Sequence, residues 1–109
     1  MQDYTQVGGT RFGRSYWFAW NFTIPFAHLR IASDRIVLTV SAFRLWQRTF
    51  TFQKADLRQL RWKRGLFSTG LHIVHAAGDH PPFILFWPSD RRKLKEQLRA
   101  FGYEIPESP

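Results

Sequence analysis

The chain contains no cysteine. That excludes a disulfide framework, a thiolate nucleophile and any Cys-based metal site, and it fits a reducing intracellular compartment. Long apolar runs are also missing. The most apolar stretch, residues 16–26, is interrupted by Asn21, Thr23 and Pro25 and is far too short to span a bilayer. No N-terminal stretch joins a basic start to a long apolar core, so no signal peptide is expected. The expected location is cytoplasmic, with the inner membrane face as a peripheral alternative, and the Asn21-Phe22-Thr23 sequon then carries no weight. Acidic residues are scarce, 8 against 16 Lys and Arg. Asp3, Glu104 and Glu107 fall in expected tails, and Asp34, Asp56 and Asp79 fall at turns, where aspartate is favoured by local hydrogen bonding. No two carboxylates are visibly paired for acid–base work. The segment Gly65 to Gly70 has neither the Lys of a phosphate loop nor a Gly-x-Ser-x-Gly elbow. His72 and His75 stand three apart on an expected strand and so face opposite sides, a poor arrangement for shared metal ligation. No catalytic residue, metal or cofactor is expected.

What is present is aromatic and basic. The 109 residues suffice for one domain with one core. Aromatics make up 17% of the chain, with five Trp and eleven Phe, which suits strands buried on both faces or an exposed aromatic surface. The formal net charge is +8. Between Arg35 and Arg64 stand Arg35, Arg44, Arg48, Lys54, Arg58, Arg61, Lys63 and Arg64 against the single acid Asp56. Such a field attracts polyanions, although net charge also simply keeps a small domain soluble.

Residues 1–12 are polar and Gly-containing and are expected to be a flexible N-terminal segment. Residues 13–103 then form one domain, followed by a tail, 104–109. Tyr16 to Thr23 reads as a first strand, ended by Ile24-Pro25 because proline donates no ladder hydrogen bond. Further strands are expected at Phe26–Ala32, with Ser33-Asp34 as the turn, and around Ile36, Leu38 and Val40. Leu45–Gln53 places Trp46, Arg48, Phe50 and Phe52 on one face, with Arg48 near the open end so that its charge reaches water. Leu57–Arg64 turns Leu60 and Trp62 inward. Leu71–Ala77 and Pro82–Trp87 form a hairpin. A closing helix, Asp90–Phe101, has Leu94, Leu98 and Phe101 as its docking stripe and Gly102 as its stop. The fold class is therefore mainly β with one C-terminal α-helix: about seven antiparallel strands in a partly open barrel or two packed sheets, capped by that helix.

This order resembles the pleckstrin-homology-like (PH-like) domains of prokaryotes. The likeness is carried by Phe52-Gln53-Lys54-Ala55-Asp56-Leu57-Arg58-Gln59-Leu60, by Arg64-Gly65-Leu66-Phe67-Ser68-Thr69-Gly70-Leu71-His72-Ile73, and by Pro81-Pro82-Phe83-Ile84-Leu85-Phe86-Trp87. It spans about Phe26 to Tyr103. The resemblance implies a non-enzymatic scaffold that binds lipid headgroups, peptides or protein surfaces. In phosphoinositide-binding members, basic residues flank the loop between the first two strands. Here Thr23-Ile24-Pro25-Phe26, read as that loop, has none, which speaks against specific inositol-phosphate recognition.

Three readings of function follow. The first is an interaction module that engages another protein or itself through Tyr16, Trp17, Phe18 and Trp20, since exposed aromatics anchor interfaces. The second is peripheral attachment to anionic membrane through Arg58, Arg61, Lys63 and Arg64, with Leu66 and Phe67 as a small wedge. The third is single-stranded nucleic acid, with Trp46 or Trp62 stacking on bases beside Arg48 or Arg61. Against it, both Trp residues lie on faces assigned to the core.

Overall fold

The computed structural model describes residues 2–15, 17–42, 46–64 and 69–107. Seven strands precede one helix: β1 (Tyr4–Gly13), β2 (Ala19–Ile31), β3 (Arg35–Ala42), β4 (Trp46–Gln53), β5 (Leu57–Arg64), β6 (Thr69–His75), β7 (Phe83–Pro88) and α1 (Arg91–Ala100), with a 3-10 turn at Lys54–Asp56 between β4 and β5. They form one antiparallel sheet in the order β4-β3-β2-β1-β7-β6-β5. Among the described residues no ladder joins β4 to β5, so the sheet is not closed into a barrel. It curls nonetheless. The ring of Phe52 on β4 meets that of His75 on β6 at 4.6 Å, and His80, in the β6–β7 connection, lies within hydrogen-bonding distance of the Thr51 backbone.

The core fills the inner face, and strand alternation built it. Leu29 and Ile31, Ile36, Leu38 and Val40, Phe50 and Phe52, Leu60 and Trp62, and Ile84 and Phe86 all point inward and are buried. Leu94, Leu98 and Phe101 close over them. The helix is anchored at both ends. The Asp90 carboxylate accepts from the Lys93 N–H at 3.0 Å, and the Asp90 N–H donates to buried Gln6 on β1. This satisfies groups that a helix N-terminus leaves without partners. At the other end Gly102 takes φ +87, while the Gly102 and Tyr103 N–H groups donate to Arg99 and Leu98, the double bond of a Schellman stop. The tail beyond it packs back on the domain. Tyr103 donates its hydroxyl to the Ala32 carbonyl at 2.6 Å, and Trp62 donates to that of Pro106 at 3.0 Å.

Two expectations at the N-terminal end are corrected. The segment expected to be flexible, residues 1–12, instead supplies a strand: Tyr4–Gly13 is β1, paired with β2 on one side and β7 on the other. Its glycines, which read as looseness, are there for close approach. A Cβ on Gly8 would lie 2.1 Å from the Trp87 carbonyl oxygen and 2.7 Å from the Phe86 ring, so only glycine lets the backbones meet. Nor does Ile24-Pro25 separate two strands. Ala19–Ile31 is continuous, with a cis Ile24–Pro25 bond. Gly8 pairs with Ala27 and Thr10 with Phe22, so Gly9 alone faces the four residues Thr23–Phe26. Pro25 sits in that bulge, where the ladder needs no N–H from it. The count of seven strands therefore stands, with one strand gained at the N-terminus and two merged into one.

Candidate binding surface

The site grows out of the register of β1 and β2. Phe12 pairs with Trp20 and Thr10 with Phe22, and alternation puts Phe12, Trp20 and Phe22 on the inner face. There the core continues past its cover. From buried Phe50 a run of rings passes outward to Phe12 at 5.0 Å, to Phe22 at 5.9 Å and to Trp46 at 5.2 Å; the last two contacts are stacked. Phe12 is buried, but Trp46 is 39% exposed and Trp20 70%. Phe12, Trp20, Phe22, Ala42, Trp46 and Arg48 line a pocket of about 350 Å³, and the Arg48 guanidinium stands 5.3 Å from the Phe50 ring. At the hairpin tip the Arg14 N–H donates to the Phe18 carbonyl, and the Phe18 N–H to the Ser15 hydroxyl. This tight connection holds Trp17 and Phe18 outward, 80% and 77% exposed. Ile24 adds a further exposed apolar side chain.

Among the described residues this half of β2 has β1 as a neighbour and no second strand beside it. Pairing with β3 covers Ala27 to Ile31, and among the described residues no ladder runs along the other side of Ala19–Thr23. Hydrogen-bonded and non-hydrogen-bonded pairs alternate in an antiparallel ladder. Because Arg14 bonds Phe18, the backbone groups of Trp20 and Phe22 face β1, while those of Ala19 and Asn21 face outward. No charged residue occurs from 16 to 27.

The structure thus brings together Trp17, Phe18 and Trp20 from the expected set and adds Phe22, Ile24, Trp46 and Arg48, which the sequence reading did not place there. Tyr16 lies outside the described residues. The missed signal was the uncharged run itself, coupled through register to Phe12. Trp46, assigned to a core face, is on that face but beyond the core's edge. Trp62 is buried, as expected.

The basic set on β5 is dispersed. Arg61 and Lys63 share the outer face, Arg58 sits at a register shift and donates to the Ala55 carbonyl, and Arg64 follows Leu60 and Trp62 on the opposite face. Leu66 and Phe67 lie outside the described residues. Arg61 donates to His72 Nδ1 at 3.2 Å. Partial burial first, then Arg61, Lys63 and His75, push the His72 pKa down to about 4, so at neutral pH it is an uncharged acceptor. His72 packs on Phe83 whereas His75 packs on Phe52, as their alternation requires. His75 Nδ1 accepts from the Ala77 N–H, and its Nε2 lies 2.8 Å from the Pro81 carbonyl; these bonds hold a loop. Among the described residues no three His, Cys, Asp or Glu side chains cluster as metal ligands, and no helix is long and apolar enough to cross a membrane.

No protein-family model matches the chain, and no curated protein matches it closely in sequence.

Proposed function

We propose that the chain is a non-catalytic, PH-like binding module whose working surface is the aromatic hairpin of β1 and β2, and that it engages another protein surface, a second copy of itself first of all. One observation carries the reading. Trp17, Phe18 and Trp20, each 70% exposed or more, adjoin a half-strand that among the described residues is paired on one side only. Large aromatics held rigidly at a surface lose little conformational freedom on binding and dominate interface energetics. Residues 16–27 carry none of the +8 charge, and Arg48 brings a cation to the surface's pocket.

Sedimentation over a concentration series, wild type against Trp17→Ser with Trp20→Ser, tests this. An anchoring aromatic is worth about 2 kcal/mol or more, so the double variant should weaken self-association at least about thirtyfold. Unchanged association would put the contact elsewhere.

A second reading, attachment to anionic membrane, is favoured by the exposure of Arg58, Arg61 and Arg64 on one strand. Each basic residue near such a surface contributes about 1 kcal/mol. Liposome pelleting lost on charge reversal at those three positions would support it.

A further inference from the structure

We infer that the notch between α1 and the C-terminal tail binds a phosphate monoester at Arg91, Arg92 and Lys95, and that the chain's own Glu107 carboxylate competes for it. The site is separate from the aromatic hairpin and stands independently of the reading given to that surface.

Helix geometry places the charges. Residues four apart stand one above the other on an α-helix, so Arg91, Lys95 and Arg99 form a row along α1, with Arg92 next to it. Leu94 and Leu98, on the adjoining side, are buried in the core, which holds the row at the core's edge beside Trp62 of β5. The tail forms the other wall. The Trp62 indole donates to the Pro106 carbonyl, and the Glu107 carboxylate accepts from Lys95 at 3.0 Å and from Arg99 at 2.6 Å. A cavity of about 380 Å³ remains, lined by Trp62, Arg91, Arg92, Lys95 and Glu107. Small-ligand sites run from about 300 to 1,000 Å³.

Charge says what belongs there. Three cations line the cavity against one carboxylate. Both Glu107 oxygens are engaged, one by Lys95 and one by Arg99. Among the described residues neither the Arg91 nor the Arg92 side chain has a hydrogen bond or an ion pair. Hydrogen bonds from Lys95 and Arg99 hold the Glu107 carboxyl below the usual carboxylate range, so this flank of α1 already selects an anion.

A carboxylate brings a single charge and leaves two guanidinium groups unmatched. A phosphate monoester brings about −1.5 to −2 at neutral pH and three acceptor oxygens, and guanidinium groups meet phosphate oxygens in bidentate pairs. Lys95 links the two anions, since it bonds Glu107 and also lines the cavity. Its side chain is 22% exposed, so water screens its charge less than on an open surface. A phosphate on Arg91, Arg92 and Lys95 therefore draws Lys95 away from Glu107 and repels that carboxylate.

The test is a titration of the full-length, isotope-labelled protein with phenyl phosphate at low salt, followed by nuclear magnetic resonance. The amide signals of Arg91, Arg92 and Lys95 and the indole N–H of Trp62 should shift with saturation. Benzoate, the same ring on one carboxylate, should bind about tenfold more weakly. Glu107→Gln removes the competitor, while Tyr103 and Trp62 still hold the tail, and should tighten phenyl phosphate about tenfold. Arg91→Glu with Arg92→Glu, at exposed positions, should keep the circular dichroism spectrum and lose the binding. Arg58→Glu with Arg61→Glu on β5 should leave it intact. Vesicles containing phosphatidic acid identify the source: pelleting lost with the α1 pair assigns the phosphate to a lipid headgroup, and saturable phenyl phosphate binding without pelleting assigns it to a soluble ester. If the β5 pair weakens binding as much as the α1 pair, the attraction is that of the whole +8 chain and the site is overturned. Unchanged affinity in Glu107→Gln, or benzoate binding as tightly as phenyl phosphate, overturns it equally. None of these variants touches the hairpin, so each failure leaves the aromatic surface standing.

Discussion

The two halves of β2 are one continuous strand under opposite conditions. From Ala27 to Ile31 it has β1 on one side and β3 on the other, its inward side chains Ala27, Leu29 and Ile31 are fully buried, and its exposed positions are His28 and Arg30. From Ala19 to Phe26 it has, among the described residues, β1 alone, and the same alternation sends Trp20 into the open. Hydrophobicity does not distinguish the halves, since the exposed one carries the larger aromatics. Neighbours do. The inner half completes a core within the molecule. The outer half has the composition of a core and stays open among the described residues, and the proposed interaction surface rests on that contrast.

The comparison is broken most severely from the inner side. Leu29→Ala would leave a void among fully buried residues of β2, β3 and β4 and should cost about 2–5 kcal/mol, the range for truncating a buried leucine. Urea unfolding would read this as a lower midpoint at unchanged slope. A change below about 1 kcal/mol would mean the inner half is far less tightly packed than its zero exposure implies.

A smaller effect is expected at the joint. Where the halves meet, Gly9 faces the bulge, and a Cβ there would stand 2.7 Å from the Phe22 carbonyl oxygen and 3.1 Å from the Ile24 nitrogen. These are backbone atoms, which cannot rotate aside. Gly9→Ala should therefore destabilise by about 1–3 kcal/mol, as overpacking does. Gly78→Ala, with nothing within 4 Å, is the control in the same thermal melt. Equal melting temperatures would show that the bulge yields freely and that the two halves are independent.

What could be read from the sequence divides along the same line. Period-two alternation at Ile36-Leu38-Val40, at Phe50-Phe52 and at Leu60-Trp62, and the helical stripe Leu94-Leu98-Phe101, were legible because side-chain pattern alone determines burial there. The helix stop at Gly102 was legible because a left-handed residue has its own signature. β1 was not, because Gly8 and Gly9 are explained only by what they approach, Trp87 and Phe22, far along the chain. Pro25 misled for a related reason: a proline that ends a ladder and one that occupies a bulge look alike until register is known. Of the surface, Trp17, Phe18 and Trp20 could be singled out by composition. Phe22, Trp46 and Arg48 could not, since their convergence depends on Phe12 pairing with Trp20 and on β3 parting from β2 beyond Ala27.

The smallest expected effect is the most informative about the outer half. In dilute solution Trp20→Ala removes a side chain that is 70% exposed, so stability should change by no more than about 0.5 kcal/mol, as for surface positions without special partners. That holds only where the chain is monomeric. Anything that binds the folded state raises its melting temperature by mass action, so if the outer half completes its core with a second copy, wild type should melt higher as concentration rises and Trp20→Ala should not. The two melting curves should coincide in the micromolar range and separate towards the millimolar. Curves that coincide throughout would leave Trp20 a solvated surface residue and reduce the contrast between the halves to one of exposure. Curves separated even at high dilution would mean that Trp20 already supports the monomer through Phe12 and Phe22, and that the core reaches further along β2 than its burial suggests.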